Sequence, residues 1–331
     1  MANELAVEAA SRPGAGAPPR RAGRGRSARN SGLAAPRRTK TAYLFLAPFL
    51  VLFLVFVAGP AVFGLWISLT NWSPFRTTQK FVGLKNYLDL FTPGSSTSGD
   101  FWQSMGATGI FTVASVPFLL VIPVLIAVLL NRAIRGGTVF RAVFFAPYVL
   151  GVAVIGVIWK YLLDTQSGIV NHVLGMLGLP DNLPWTVDVP WAWISLVGVT
   201  VWWTLGFNTV IILAGLKGIS ADLYEAASLD GAGAMRQFFS VTLPGLRQVM
   251  TFVVTVTILA SANMFGQSYL ITKGGPANQT RTAIMYISDQ GLSQNNMAAA
   301  SAMSYVLFVF LAIISIVNFR LQRERSERLP R

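Results

Sequence analysis

The stretch Leu223-Tyr-Glu-Ala-Ala-Ser-Leu-Asp-Gly-Ala-Gly233, with Thr242-Leu-Pro244 after it, lies between two long apolar segments of a 331-residue chain. Apolar residues at its start recur every three or four positions, which predicts a short helix with one apolar face. Asp230 is expected to cap a second helix over Ala234 to Val241, with a turn at Gly231 before it and Pro244 after it. Helices this short are marginal alone, so the segment needs packing support and predicts a surface that receives a partner.

The composition of the chain indicates a membrane protein. Hydrophobic residues make up 53% of the chain and charged residues only 12%, whereas soluble domains contain about 25% charged residues. The chain has no cysteine and a single histidine, His172. Neither a disulfide framework nor a metal site built on thiolates or clustered imidazoles is therefore expected.

Six segments are long and apolar enough to cross a bilayer, which takes about 20 such residues per helix. We predict an all-α integral membrane protein whose six-span domain covers residues 41–320. The spans lie near residues 42–69, 107–130, 142–163, 190–215, 250–271 and 298–319. The quoted stretch then lies in the loop 216–249, between the fourth and fifth spans.

The positions of lysine and arginine predict the orientation. Twenty of the 26 lie in the two tails, in the loop after the second span and in the loop 216–249. Because these charges resist translocation, both termini and the loop 216–249 are predicted to be cytoplasmic, in a multi-pass protein of the plasma membrane.

The two ends of the chain are basic. Residues 1–40 are rich in Arg, Gly, Ala and Pro and predict a disordered cytoplasmic tail, and residues 321–331 predict a second basic cytoplasmic tail. The tails are expected to fix the topology and attract anionic lipid. Without aromatic residues for base stacking, no nucleic-acid partner is predicted.

The sequence lacks motifs for catalysis and for an energy source of its own. No acid lies inside a proposed span, so the carboxylate relay typical of ion-driven transporters is lacking. The sequence also has no phosphate-binding Gly-rich motif and no hydrolytic motif, and no catalytic residue is predicted. An autonomous secondary transporter or a non-conducting membrane scaffold remain the competing interpretations.

Glu225-Ala-Ala-Ser-Leu-Asp-Gly-Ala-Gly233 with Thr242-Leu-Pro244 closely resembles the EAA loop of the membrane subunits of binding-protein-dependent ABC importers. Other segments resemble the carbohydrate-uptake group that includes the larger permease subunit of the maltose transporter. They are Ile67-Ser-Leu-Thr-Asn-Trp72, Phe81-Val-Gly-Leu-Lys-Asn-Tyr87, Arg141-Ala-Val-Phe-Phe-Ala-Pro147, Ile158-Trp159 and Thr272-Lys-Gly-Gly-Pro276. The resemblance runs from about Thr39 to Phe319.

The resemblance implies the type I ABC importer permease fold and a pathway for a sugar or oligosaccharide. It implies a second homologous permease subunit, two cytoplasmic ATPase subunits that bind ATP and Mg, and an extracytoplasmic sugar-binding protein. This chain would be neither an enzyme nor the holder of a cofactor. The residues implied to couple it to the ATPase are Leu223, Tyr224, Glu225, Ala226, Ala227, Asp230, Gly231, Ala232, Gly233 and Pro244.

Neutral polar residues form stripes in the fourth and fifth spans. They are Thr204, Asn208, Thr209, Thr257, Ser261, Asn263 and Gln267. Such groups either join helices by hydrogen bonds or contact the hydroxyl groups of a sugar. Because the resemblance implies that these two spans line the pathway, we take these residues as substrate-pathway candidates.

Overall fold

The computed structural model describes residues 39–75, 78–131 and 137–327. Apart from one isolated bridge between Thr70 and Phe81, the regular structure in these ranges is helical. The α-helices are α1 (Thr39–Phe53), α2 (Gly59–Ser68), α3 (Lys85–Phe91), α4 (Ser98–Asn131), α5 (Gly137–Val149), α6 (Val152–Leu162), α7 (Ile169–Met176), α8 (Trp191–Lys217), α9 (Ala221–Leu229), α10 (Ala234–Gln237), α11 (Leu243–Gly245), α12 (Arg247–Ala262), α13 (Ala283–Ser288) and α14 (Met297–Glu327). Short π-helical segments occupy Leu54–Ala58, Phe238–Thr242, Ser268–Thr272 and Asp289–Ser293. The predicted all-α class is confirmed, whereas the basic tail predicted for residues 1–40 lies outside the described residues except for its last two.

Four helical stretches are long and apolar enough to cross a membrane among the residues described. They are Tyr43–Ser68, Ser98–Asn131, Trp191–Lys217 and Met297–Arg320. Two bent helix pairs raise the number to as many as six: Val139–Val149 with Val152–Leu162, bent by 95°, and Ala234–Gly245 with Arg247–Ala262, bent by 70°. The third predicted span, 142–163, therefore corresponds to a bent pair and differs from a single straight helix.

The described residues fall into two compact units that divide between Val55 and Phe56. The described part of the first unit is α1 with the start of the π-helical segment. Its apolar side chains are largely exposed, and the rings of Phe49 and Phe53 stack at 6.1 Å. A helix that is apolar on all sides is expected where lipid or another membrane protein covers it.

In the second unit, α4 passes three clusters of buried side chains. It has 34 residues, which corresponds to about 51 Å. Near its N-terminal end, Phe101 packs with residues of α3, α13 and α14, and near its middle Phe111 packs with residues of α6 and α8. Near its C-terminal end, Ala127 and Leu130 pack with the end of α8 and with Leu246. The loop that follows α8 is thus anchored to the end of α4 remote from α3.

The third predicted span bends between α5 and α6, where helical hydrogen bonding stops. Pro147 lacks a backbone donor, and Gly151 adopts an extended conformation before α6 begins. The indole of Trp203 donates to the carbonyl of Leu150 at 3.0 Å, which satisfies an acceptor that the bend frees. A side chain of α8 therefore stabilises the bend.

Gly206 of α8 lies directly against the backbone of α5. A Cβ atom there would come within 2.4 Å of the carbonyl oxygen of Phe144 and 2.6 Å of the Cα atom of Phe145. The two helices can approach this closely only because residue 206 has no side chain.

The fifth predicted span, 250–271, is not one continuous helix either. α12 ends at Ala262, and its 16 residues span about 24 Å, less than the roughly 30 Å of a hydrocarbon core. After the break the chain packs against α6 through two glycines. A Cβ at Gly266 would meet Val152 at 2.5 Å, and one at Gly156 would meet Leu270 at 2.6 Å.

Candidate functional site

The EAA loop, residues 216–249, begins with a capped helix. The side chain of Ser220 accepts a hydrogen bond from the backbone N–H of Asp222 at 3.3 Å, which caps α9 at its N-terminus. Asp222 lies in the first turn, where the helix dipole favours a carboxylate. The start of α9 is thus set by local chemistry at Ser220 and Asp222.

Asp230 lies at the end of α9. The prediction that it caps the second helix is wrong. Asp230 instead ends α9, and the N-cap of α10 is Gly233, with no side-chain hydrogen bond. Gly231 has a φ of +76°, and the N–H of Ala232 donates to the carbonyl of Ala227 at 2.9 Å. This is the Schellman arrangement, which favours glycine where φ is positive. The second helix also differs from the predicted Ala234 to Val241, because α10 ends at Gln237 and a π-helical segment follows it.

Side-chain hydrogen bonds hold α9 against the segment that follows it. The hydroxyl groups of Tyr224 and Thr242 lie 3.1 Å apart. The amide of Gln237 donates to the hydroxyl of Ser228 at 2.8 Å and to the carbonyl of Ala232 at 3.0 Å. α9, α10 and the π-helical segment are therefore joined into one small unit.

The base of the EAA loop is anchored in the core. Leu246 is fully buried beside the ends of α4 and α8. Two close contacts fix the entry and exit of the loop, since a Cβ at Gly215 would meet Val249 at 2.7 Å and one at Gly245 would meet Ile219 at 2.7 Å. The ends of α8 and α12 consequently pack on each other directly at the base of the loop.

The outer surface of the EAA loop is exposed and carries unpaired groups. No residue of α9 is buried, and Glu225 is exposed without a hydrogen bond or ion pair to a described residue. The same loop exposes large apolar side chains, with Leu229 90% exposed and Met235 71% exposed. Of the other predicted coupling residues, Tyr224, Ala227 and Ala232 are half-buried, whereas Leu223, Ala226, Asp230, Gly231, Gly233 and Pro244 are exposed. The loop thus exposes both a carboxylate and several large apolar side chains.

The second candidate site is a cavity of about 310 Å³ between α4, α5, α8, α12 and the segment after α12, which we call the central pocket. Five of the predicted pathway residues line it: Thr204, Asn208, Thr257, Ser261 and Gln267. The other two do not. Thr209 is buried and donates to the carbonyl of Leu205 at 2.7 Å, while Asn263 lines a separate apolar groove against α13 and α14.

Aromatic residues also line the pocket, and the pattern of polar residues alone did not predict them. Tyr148 of α5 stacks on Phe207 with ring centroids 5.0 Å apart, and Trp203 lies 6.4 Å from Tyr148. A usable signal was present in the sequence, because Trp203 and Phe207 immediately precede Thr204 and Asn208 on one face of α8. The contribution of Tyr148 depends on the 95° bend after α5, and Pro147 indicates a kink there without giving its angle.

Asn208 joins three helices at the pocket wall. Its amide donates to the carbonyl of Leu119 in α4 at 2.9 Å and to the hydroxyl of Thr257 in α12 at 3.3 Å. Leu119 precedes Pro123 by four residues, so its carbonyl lacks the usual helical donor. Asn208 supplies the hydrogen bond that this proline removes.

Replacing Asn208 with alanine is expected to destabilise the protein by about 1–3 kcal/mol, because the buried carbonyl of Leu119 would lose its donor. Thermal unfolding of the purified protein in detergent measures the effect. Thr209→Val is the matched control, since the Thr209 hydroxyl donates only within its own helix, to a carbonyl that is already bonded. Equal losses for the two variants would contradict a special role of Asn208.

The two sites share the same two helices. α8 lines the central pocket and leads into the EAA loop, and α12 begins at Arg247 near the end of the loop and also lines the pocket. Within the described ranges, no group of three or more His, Asp or Glu side chains could hold a metal ion. α8 and α12 therefore connect the surface loop directly to the wall of the pocket.

Comparison with known proteins agrees with this architecture. The family model described as "Binding-protein-dependent transport system inner membrane component" matches residues 94–326. The trehalose/maltose transport system permease protein MalF of Thermococcus litoralis is 32% identical over 292 residues, 88% of this chain and 96% of that protein. The sn-glycerol-3-phosphate transport system permease protein UgpA of Salmonella typhimurium is 31% identical over 84% of this chain and 92% of its own length.

A solved structure shares the fold. It is a bacterial ABC transporter involved in the import of the acidic polysaccharide alginate, and it matches 87% of this chain and 96% of its own with a TM-score of 0.74 and 21% identity. The predicted type I importer permease fold is confirmed. The family match covers most of the chain, and the relatives align along nearly their whole lengths. The chain therefore belongs to the binding-protein-dependent inner membrane components, the permease subunits of ABC importers.

Proposed function

We propose that this chain forms part of the translocation pathway for a sugar or oligosaccharide, with the central pocket as a substrate contact. The support is the convergence of Thr204, Asn208, Thr257, Ser261 and Gln267 on one cavity that four aromatic residues also line. Hydroxyl and amide groups can exchange hydrogen bonds with sugar hydroxyl groups, and aromatic faces offer large apolar contacts. The name of the relative MalF, a trehalose/maltose permease, points to the same cargo.

We further propose that the EAA loop is the docking surface for an ATPase subunit. The observation that supports this is the exposure of Glu225 on a loop that also exposes the apolar side chains of Leu223, Leu229 and Met235. An apolar patch of this kind on a small, internally bonded unit is typical of a protein interface. Because α8 and α12 adjoin the loop and line the pocket, a shift of the loop would be transmitted to the pocket walls.

The proposed assembly places the remaining partners around these two sites. A second homologous permease would complete the pathway, two cytoplasmic ATPase subunits would bind ATP and Mg, and an extracytoplasmic binding protein would deliver the sugar. The chain would lie in the plasma membrane with both termini in the cytoplasm. Cysteine labelling at Ser228, an exposed residue of the loop, tests the orientation, since labelling from outside intact cells would reverse it.

Reconstitution into vesicles with the second permease, the ATPase and the binding protein tests the proposed function. We expect uptake of a radiolabelled oligosaccharide that requires ATP and stops when either the ATPase or the binding protein is omitted. Uptake by this chain alone would instead indicate an autonomous secondary transporter. Correct assembly without uptake of any sugar from a broad panel would indicate a scaffold.

A further inference from the structure

The wall of the central pocket carries no charged side chain. None of its lining residues is Asp, Glu, Lys, Arg or His. Elsewhere in the second unit, the guanidinium of Arg281 pairs with the carboxylate of Asp100 at 2.9 Å. A charged ligand group would find no counter-ion from this chain in the pocket, where the surroundings are largely apolar and an unpaired charge is costly.

The polar groups that remain available in the pocket are neutral, and they include donors and acceptors. Gln267 is only 7% exposed, and its amide makes no hydrogen bond with a described residue. The hydroxyl of Thr200 is buried without a partner in the described part of the chain. The hydroxyl of Ser261 accepts from Ser115 at 3.2 Å, which leaves its own hydrogen free to be donated.

Asn208 adds an acceptor to this set. Its amide nitrogen is occupied by Leu119 and Thr257, so its side-chain oxygen is the group left for a ligand. Each hydroxyl group of a sugar is both a donor and an acceptor and can match such a mixed wall. A carboxylate or phosphate dianion only accepts, and it would face the oxygen of Asn208 without compensation.

Buried polar groups without partners are uncommon in folded proteins, and each one calls for a specific explanation. Gln267 and Thr200 lie in the same cavity, next to the stacked rings of Tyr148 and Phe207. The hydroxyl of Thr200 is such a group. The amide of Gln267 keeps some accessible surface and can exchange hydrogen bonds with a ligand in the cavity, while the rings offer that ligand an apolar face.

We propose that the central pocket admits uncharged sugar units and rejects sugars that carry a carboxylate or a phosphate, with Gln267 as a specificity-determining residue. This inference rests on the proposed function and narrows its substrate class. Neutral and charged cargo both occur in the names of similar proteins. MalF is named for trehalose and maltose, whereas UgpA is named for sn-glycerol-3-phosphate and the structural relative for an acidic polysaccharide. The absence of any charged side chain from the lining of this pocket favours neutral cargo.

The test measures sugar binding to the complete permease–ATPase complex in nanodiscs, without the binding protein, whose own selectivity would otherwise intervene. The two ligands are the neutral oligosaccharide that the uptake assay identifies and its counterpart with a carboxylate at C6, at equal ionic strength. Thermal stabilisation at increasing sugar concentration gives both dissociation constants. We expect the carboxylated sugar to bind on the order of 100-fold more weakly.

Three variants locate the selectivity. Gln267→Leu should weaken binding of the neutral sugar about 10-fold without improving binding of the acid, and Gln267→Lys should reduce the preference for the neutral sugar by adding a cation. Asn263→Leu is the matched control, because this amide lies outside the pocket and should leave both constants unchanged. If Gln267→Lys does not assemble, the comparison of the neutral and the carboxylated sugar on the unmutated complex still tests the selectivity.

The outcomes separate this inference from the proposed function. Equal binding of the two sugars, or ATP-dependent uptake with no response to Gln267→Leu, would overturn the selectivity and leave sugar transport intact. Failure of the complete system to take up any sugar would instead overturn the proposed function.

Discussion

Replacing Gly206 with alanine is expected to destabilise the protein by at least about 1–3 kcal/mol, the usual cost of overpacking. The added Cβ would lie 2.4 Å from the carbonyl oxygen of Phe144 and 2.6 Å from the Cα atom of Phe145. Both are backbone atoms, so a change of side-chain rotamer cannot relieve the clash and α5 must move away from α8. Thermal unfolding of the purified protein and the yield of folded protein from membranes measure the effect.

Gly198→Ala is the matched control on the same helix. A Cβ at Gly198 would meet no atom within 4 Å, and alanine favours a helix interior by about 0.5–1 kcal/mol over glycine. We therefore expect Gly198→Ala to be neutral or stabilising. If the two variants unfold at the same temperature, α5 does not depend on Gly206 for its place against α8.

The consequence of Gly206→Ala reaches the central pocket. Tyr148 lies on α5 and stacks on Phe207, the residue after Gly206. A displaced α5 would separate these rings and alter the pocket wall, so sugar binding should weaken together with stability. The close packing of α5 on Gly206 therefore also determines the shape of the pocket wall.

The sequence predicts the EAA loop well because its signals are local. The helical spacing around Leu223 and the glycine at Gly231 act within a few residues of one another, and the structure places a helix and a turn there. The error at Asp230 has a local cause as well. Aspartate favours an N-cap, but the glycine that follows it ends the preceding helix first, since Gly231 readily adopts the positive φ of a Schellman motif.

The central pocket is less predictable because its geometry depends on contacts between distant parts of the chain. Helical spacing selects five polar residues that line it, but it also selects Thr209 and Asn263, which do not. Pro123 is visible in the sequence, whereas its compensation by Asn208 joins residues on two different helices. The bend after α5 likewise requires Trp203 and Gly206 of α8, which no local pattern connects to Pro147.

Replacing Glu225 with arginine is expected to reduce ATP-dependent sugar uptake at least about 10-fold in the reconstituted complex, without loss of folded protein. Glu225 is exposed and has no partner in the described part of the chain, so the change should alter stability by only about 0.5 kcal/mol. At an interface, however, reversing a charge costs several kcal/mol when like charges meet. Uptake and ATP hydrolysis are measured on the same preparation, and hydrolysis that persists while uptake is lost indicates uncoupling.

Asp222→Arg makes the same charge change on the same helix and separates a specific role of Glu225 from a general effect of charge. Asp222 lies in the first turn of α9, where its loss costs about 0.3–1 kcal/mol of helix stability. We expect this control to retain most of its uptake. Full uptake by Glu225→Arg would remove Glu225 from the coupling mechanism, and equal losses for the two variants would assign coupling to the acidic character of α9 as a whole. A loss confined to Glu225→Arg would identify the exposed carboxylate as the contact through which the ATPase moves α8 and α12.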